Sequence, residues 1–297
     1  MGAASVGGTP VTFDAFLEQA WSDHGDHAEE VGQRLEQGYE LIETPAQIAP
    51  FARILAHVDG EHLAHWAEGA VRLERLRTHS LWRDDGDAPA IVRRLVAAMH
   101  FGNGADSVAG LSAADRAHAH AVAAAALAAQ RHTPDAIRHF RAALAAAAPG
   151  LSESDPAIRA LAVTSNNLAS TLEEMPSRSA DLTAVMLDAA RAAREYWGRA
   201  GGWVETERAE YMLAKCLLAA GDAKGALDHA EQCAAICEAN NADPFERFFA
   251  LSMRALAHRA LGAAPQFAQA RTAALDCYGT LAADERSWCE STLKQIS

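Results

Sequence analysis

The stretch EYMLAKCLLAAGDAKGALDHAEQCAAIC, from Glu210 to Cys237, decides the fold that we predict for this chain. Two runs of helix-forming residues are separated by Gly221-Asp222, a pair typical of a tight turn between helices. Small residues recur along both runs, at the places where two closely packed helices would touch. The stretch therefore predicts a helical hairpin that serves packing, and it carries no pattern of a catalytic site.

The composition of the whole chain favours an all-helical protein. Half of its 297 residues are hydrophobic, but aromatic residues make up only 6%, and alanine supplies much of the rest. Alanine is the best helix former and a poor strand former. Stacked helical hairpins can also extend past the usual size of one domain, because each hairpin packs mainly on its neighbours.

Charge and cysteine content argue against several classes of protein. A net charge of −13 disfavours a general nucleic-acid-binding or membrane-binding surface, because both need cationic side chains. The five cysteines all lie in the last third, and their odd number predicts reduced, buried residues. No export signal is evident at the start, and the longest alanine-rich run, 121–129, is too short for a membrane helix. We therefore expect a cytoplasmic protein.

Turn-forming and charged segments divide the sequence into five predicted regions. These are a flexible leader at 1–10, helical hairpins at 11–79, an irregular connection with one helix at 80–111, helical repeats at 112–283 and a C-terminal capping helix at 284–297. The clearest boundary is THSLWRDDGDAP, residues 78–89, which combines charge with turn formers. Within the first hairpin region, Asp59-Gly60 is expected to form a corner between two helices.

A short pattern in the first helix of each later hairpin indicates a repeat. An apolar-Ala pair followed by a further apolar residue recurs at intervals of 45, 45 and 43 residues. Its four copies are Ala123-Ala124 with Leu127, Leu168-Ala169 with Leu172, Leu213-Ala214 with Leu217, and Leu256-Ala257 with Ala260. Three second helices carry a matching series: Ala136, Phe140 and Ala143; Ala226, Ala230 and Cys233; and Ala270, Ala274 and Cys277.

These motifs resemble the tetratricopeptide repeat, and Asn166-Asn167-Leu168-Ala169 is similar to the longer repeats of kinesin light chains. The resemblance covers Ser112 to Leu281. The period exceeds the family's usual ~34 residues, and the family's characteristic Trp and Tyr in the first helix are absent. The resemblance implies an all-α fold, a right-handed α-solenoid of antiparallel helical hairpins. It also implies a concave groove, lined by the first helices, that binds an extended peptide or a partner helix.

On this resemblance, six residues beside the repeated pairs are expected to face the groove: Asn166, Ser170, Tyr211, Lys215, Arg254 and His258. An Asn amide can bond a peptide backbone in both directions, while Lys and Arg can hold a carboxylate. We therefore expect a non-enzymatic scaffold whose partner is a protein or peptide with an acidic side chain or a C-terminal carboxylate. The Ala- and Arg-rich composition indicates a bacterial source. The alternative, that the six residues are simply solvated, stays open.

Two other functions stay open at this point. One is a regulatory sensor that binds a signalling peptide or a small molecule inside the superhelix. The other is a metal-dependent enzyme that uses the turn DHGDH, residues 23–27, or His57 with Glu61, His62 and His65. Neither cluster has a zinc spacing such as HExxH, so no metal or cofactor is predicted. Asp23 and Asp26 are expected instead to cap the helix that follows.

Overall fold

The computed structural model describes residues 12–105 and 108–297, and within these ranges the chain is all-α, with fourteen helices and no strand. The leader predicted at residues 1–10 lies outside the described residues. None of the described helices is both long and apolar enough to cross a membrane. The chain forms two compact units, which divide between Pro149 and Gly150.

The first unit contains helices α1 to α7. Their bounds are Phe13–Asp23, Ala28–Gly38, Ile48–Ala56, Trp66–Arg75, Ala88–Gly102, Ala113–Ala129 and Thr133–Ala147. Helix α1 begins at Phe13, and Thr12 caps it, because Thr12 Oγ1 accepts a hydrogen bond of 3.3 Å from the Ala15 backbone N–H. Helices α1 to α5 enclose an apolar core that includes Phe16, Leu35, Phe51, Leu73 and Val92.

The second unit contains helices α8 to α14. Their bounds are Pro156–Glu173, Ala180–Ala200, Trp203–Ala219, Ala223–Ala239, Pro244–Ala260, Ala264–Thr280 and Ala283–Ile296. The most extensive contacts join adjacent helices, α8 with α9, α10 with α11 and α12 with α13. Helix α10 also contacts α8 and α12, the first helices of the neighbouring pairs. This sequential packing in pairs is compatible with a helical repeat.

The predicted corner at Asp59-Gly60 is wrong. Residues His57–His62 continue α3 as one π-helical turn, in which Asp59 and Gly60 are buried. The chain turns afterwards, at Ala64, which has a φ of 55°. Burial of a carboxylate is tolerated here because Arg72 Nη1 donates to both Asp59 oxygens, at 2.7 and 2.9 Å. An Asp-Gly pair is a turn signal only where no distant partner holds the aspartate inside the core.

Positive-φ residues give a common register for three of the helix pairs. They end the first helix of three pairs: Arg131 (φ 63°), Gly221 (φ 85°) and Gly262 (φ 72°). Seven residues before each of them lies a buried alanine: Ala124, Ala214 and Ala255. The first two alanines are those of the predicted pattern, but in α12 the pattern had placed Ala257 at this position. The register of α12 therefore differs by two residues from the one that the sequence pattern suggests.

The same register changes the position of one cysteine. Twelve residues after the turn, Cys233 follows Gly221 and Ala274 follows Gly262, and both are fully buried. Cys277, which the sequence pattern placed at this small-residue position, is half-buried. All five cysteines have free thiols, and the burial that the sequence predicted for all five is observed for four of them.

Gly38, the last residue of α2, leaves room for two aromatic rings, and this makes it sensitive to a small substitution. A Cβ at this position would lie less than 3.0 Å from ring atoms of both Phe51 and Phe16. We expect Gly38→Ala to lower the free energy of unfolding by about 1–3 kcal/mol, because the rings have to move out of their packing. Gly198→Ala in α9 is the control, because its methyl group meets no atom within 4 Å. Urea unfolding measures both, and equal midpoints for the two variants would contradict the prediction.

Candidate functional site

Tyr211 and Lys215 lie on α10, on a side that reaches both α12 and α8. The Tyr211 ring packs edge-on against Phe249 of α12, with 5.7 Å between ring centroids, and burial raises the pKa of its hydroxyl. Lys215 Nζ lies 2.5 Å from Glu173 Oε2 of α8. Burial alone would lower the pKa of Lys215, but the ion pair with Glu173 outweighs it, and the net effect is a raised pKa. Lys215 is thus charged and already has a carboxylate partner.

Asn166 and Ser170 lie on α8, the helix that also carries Glu173. Both side chains are half-buried, and Ser170 Oγ donates a hydrogen bond of 3.2 Å to Glu174 Oε1. The amide of Asn166 and the hydroxyl of Ser170 are thus partly accessible on α8. A peptide carboxylate would have to compete with Glu173 for Lys215.

Arg254 and His258 lie together elsewhere in the second unit, in a cavity between α11, α12 and α13. The cavity has a volume of about 340 Å³ and is lined by Glu231, Leu251, Arg254, His258, Gln266, Gln269, Ala270 and Ala273. Arg254 Nε is 3.1 Å from Glu231 Oε1. The two-residue difference in register explains this placement. Because an α-helix turns by about 100° per residue, two residues amount to about 200°, which is the opposite side of α12.

In the structural register, Ser252 and Leu256 hold on α12 the positions that Tyr211 and Lys215 hold on α10. Both are buried, and Leu256 belongs to one apolar core with Cys289 and Ile296 of α14. The C-terminal helix therefore covers this side of α12. In the second unit, the residues at these positions are partly accessible only on α8, as Asn166 and Ser170, and on α10, as Tyr211 and Lys215.

Helix α10 also carries two buried glutamates that the sequence analysis did not single out. Glu210 accepts hydrogen bonds from Arg194 Nε (2.8 Å) and His229 Nδ1 (2.6 Å). Although burial raises the pKa of Glu210, these two partners outweigh it, and the net pKa is lowered. The sequence contains a signal for this burial. Glu210 lies four residues before Ala214 and seven before Leu217, and this spacing places all three on one face of a helix.

Glu207 has the opposite electrostatic environment. Its Oε1 accepts a hydrogen bond of 2.8 Å from Cys233 Sγ, and burial, together with the nearby charge of Glu246, raises its pKa to about 7. The hydrogen bond from Cys233 and the charge of Arg208 oppose this shift without reversing it. The pKa of the Cys233 thiol is also raised, by its hydrogen bond with Cys237 and by burial. Because a thiolate is the reactive form, this environment suits a structural cysteine.

The two histidine-rich segments, which are separate in the sequence, meet in the first unit. Ring nitrogens of His24, His57 and His62 all lie within 4.8 Å of one another. His27 and His65 lie outside this group. Burial and the two neighbouring histidines lower the pKa of His62.

The predicted capping role of Asp23 and Asp26 is wrong. The N-cap of α2 is His27, and it makes no side-chain capping bond. Asp23 instead accepts a hydrogen bond of 2.8 Å from Arg34 Nη2, which ties the end of α1 to α2.

No protein-family profile matches the sequence, and no curated protein matches it. A functional proposal therefore depends on the geometry of the chain itself.

Proposed function

We propose that this chain is a non-enzymatic helical-repeat protein that binds a peptide, or a segment of a partner protein, at the cavity between α11, α12 and α13. The observation that supports the proposal is the convergence of Arg254, Glu231, Gln266 and Gln269 on one cavity of about 340 Å³. Two of the six residues selected from the sequence, Arg254 and His258, line it.

The chemistry of the cavity fits an extended peptide with a carboxylate. Glu231 faces Nε of Arg254 at 3.1 Å, and a guanidinium has four further N–H donors. Those donors match the two oxygens of an acidic side chain or a C-terminus. The amides of Gln266 and Gln269 can donate to and accept from a peptide backbone, while Leu251 supplies an apolar contact.

The same features argue against the alternative of a small-molecule sensor. Cavities for small molecules have volumes of about 300–1,000 Å³ and are lined mainly by apolar and aromatic side chains. This cavity is at the lower end of that range, its lining contains no Phe, Tyr or Trp, and five of its eight lining residues are charged, amide or histidine residues. We therefore favour a peptide segment that places one carboxylate beside Arg254.

We also propose that the pairs from α8 to α13 are tetratricopeptide-like hairpins, antiparallel within each pair and wound into a right-handed solenoid. Support comes from the positive-φ residues Gly221 and Gly262 and from the buried alanines, Ala214 and Ala255, seven residues before them. The α6–α7 pair has the same turn at Arg131, and we propose that it is a hairpin of the same kind. A cytoplasmic location and a bacterial source stay predictions from the sequence.

Peptides selected from a displayed library against the full chain test this function. We expect them to contain an acidic residue or a free C-terminus, and we expect Arg254→Ala to weaken their binding by about 10- to 100-fold, the loss typical of a charged hydrogen bond. Lys215→Ala is the matched control, since Lys215 lies on the other face with Glu173. Thermal unfolding of both variants checks that they are folded.

Each of the other possible results of this experiment leads to a different conclusion. A loss of binding in Lys215→Ala alone would move the site to the face of α8 and α10, where Asn166, Ser170 and Tyr211 lie. Unchanged affinity in both variants would contradict the proposed function on either face. Selection of no peptide, together with a thermal shift by a metabolite, would favour the sensor.

A further inference from the structure

We infer that His24, His57 and His62 form a zinc-binding site in the first unit. His24 follows the last residue of α1, and His57 and His62 are the first and last residues of the π-helical turn that extends α3. Their ring nitrogens lie within 4.8 Å of one another. The site is independent of the proposed peptide-binding cavity, which lies in the second unit.

The π-helical turn is what brings two of the histidines together. In an α-helix, residues five positions apart differ by about 140° around the axis and cannot share a ligand. A π-helix bonds residue i to residue i+5, so those two residues lie nearly above one another, and such turns are frequent at functional sites. The Nε2 atoms of His57 and His62 are 3.2 Å apart. Two nitrogens bound tetrahedrally at about 2.0–2.1 Å from zinc would be separated by about 3.3 Å.

The other ring nitrogens of two histidines already have the partners that a metal ligand needs. His24 Nδ1 donates to the Trp21 carbonyl oxygen at 2.6 Å, and His57 Nδ1 lies 3.1 Å from Glu61 Oε2. Each contact holds the proton on Nδ1 and leaves the Nε2 lone pair for a metal. Carbonyl and carboxylate partners of this kind orient metal-binding histidines and raise their basicity.

The third histidine, His62, lies on the solvent-exposed side of the site. His62 is exposed, and without a metal its Nε2–H can donate to the Nε2 lone pair of His57 across the 3.2 Å between them. A zinc ion would take the place of that shared proton, and His62 would then carry its proton on Nδ1. The total number of protons stays the same, because His62 changes only its tautomer.

Three imidazole nitrogens select the metal class. Imidazole suits zinc, copper and nickel, whereas calcium and magnesium require oxygen ligands. Three histidines with a fourth, open position are a recurrent zinc arrangement, and the exposure of His62 leaves that position accessible to water. Bound zinc would connect the turn after α1 to the end of α3.

Calorimetric titration of the metal-free full chain with Zn²⁺ tests the site. We expect one zinc ion per chain and a higher midpoint of thermal unfolding in its presence. His62→Ala, at an exposed position, is expected to fold normally and to lower zinc affinity by about 100-fold, because one of three ligands is lost. Glu61→Gln is expected to lower it by about 10-fold. His27→Ala is the matched control, an exposed histidine three residues from His24 that should leave the affinity unchanged.

Cobalt distinguishes this site from the cysteines. Co²⁺ bound by histidines should show tetrahedral d–d absorption and no thiolate charge-transfer band. It should also quench Trp21, whose ring centroid lies 5.3 Å from that of His24 and 5.2 Å from that of His57. Trp21→Phe should keep zinc binding and lose the quenching. Absence of stoichiometric zinc, equal affinity of wild type and His62→Ala, or a thiolate band would each overturn the inference.

Discussion

Arg72→Met is expected to lower the free energy of unfolding of the first unit by about 3–5 kcal/mol, because it leaves a buried carboxylate without its partner. Asp59 is 1% exposed, and both of its oxygens accept hydrogen bonds from Arg72 Nη1. Arg72 Nη2 also donates to the Gly32 carbonyl oxygen at 3.0 Å. One side chain therefore connects α2, the π-helical turn and α4.

The pH dependence identifies the cause of this loss. Even beside Arg72, burial raises the pKa of Asp59 to about 6. The folded state therefore binds more protons than the unfolded state between pH 3.8 and about 6, and stability falls as pH rises through that range. Without Arg72 the penalty grows, so the variant should lose more stability at pH 8 than at pH 5, where Asp59 can take up a proton.

Arg75→Met on the same helix is the control for Arg72. Arg75 is half exposed and pairs with Glu36 at 2.8 Å on the surface, so its loss should cost less than about 1 kcal/mol. Urea unfolding of the two variants at pH 5 and pH 8 gives the comparison. Equal losses in both variants would show that the Asp59 contact does not stabilise the unit, and a loss independent of pH would remove Asp59 as its cause.

Glu207→Gln is expected to raise the free energy of unfolding at pH 8 by about 2–3 kcal/mol. The pKa of Glu207 is raised from 4.5 to about 7 in the folded chain, chiefly by burial. Between these two values the folded state binds the additional proton, so the stability of the wild type falls as pH rises. Glutamine has the same shape without the charge, keeps an acceptor for the Cys233 thiol and removes this pH dependence.

The same substitution at Glu210 should have the opposite sign. Arg194 and His229 both donate to Glu210, and its pKa is lowered. Its stabilising effect is therefore present above its unfolded pKa of 4.5 and is lost as pH falls below it. Glu210→Gln should thus lower stability at pH 8.

Labelling of Cys233, followed by mass spectrometry across urea concentrations, reports on the second unit alone for these two variants. At pH 5 we expect Glu207→Gln to label like the wild type, and at pH 8 to be protected to higher urea. If the Glu207 and Glu210 variants shift in the same direction at pH 8, the difference in their environments does not control stability.

Much of the helical structure could be predicted because its signals are local. The turn expected at Gly221-Asp222 is observed, because α10 ends at Ala219 and α11 begins at Ala223. A proline at the start, a Gly-Asp turn and small residues at helical spacing act over a few residues and need no distant partner. The π-helical turn at His57–His62 could not be predicted in this way. Asp59 in this turn is buried with a hydrogen bond from Arg72, and that contact is not local in the sequence.

The candidate sites were harder to predict, because a small error in register changes the direction of a side chain but not the presence of a helix. In an alanine-rich helix, a shift of two residues leaves a plausible apolar pattern, yet it turns Arg254 by about 200° into the cavity of α11 to α13. The positive φ at Gly262 settles that register, and no residue pattern shows which of several alanines packs inward.

By itself, the sequence determined that this chain is helical, that a turn lies at Gly221-Asp222, and that its helices pack in successive pairs, because propensity, turn residues and spacing act along the chain. The tertiary structure decided which side of α12 meets α14, which glutamates keep a partner, and that His24 joins His57 and His62. These features depend on contacts between residues far apart in sequence. The hairpin from Glu210 to Cys237 shows both levels, since its turn is local, whereas the pKa of Glu210 depends on burial, on His229 and on Arg194 of the preceding pair.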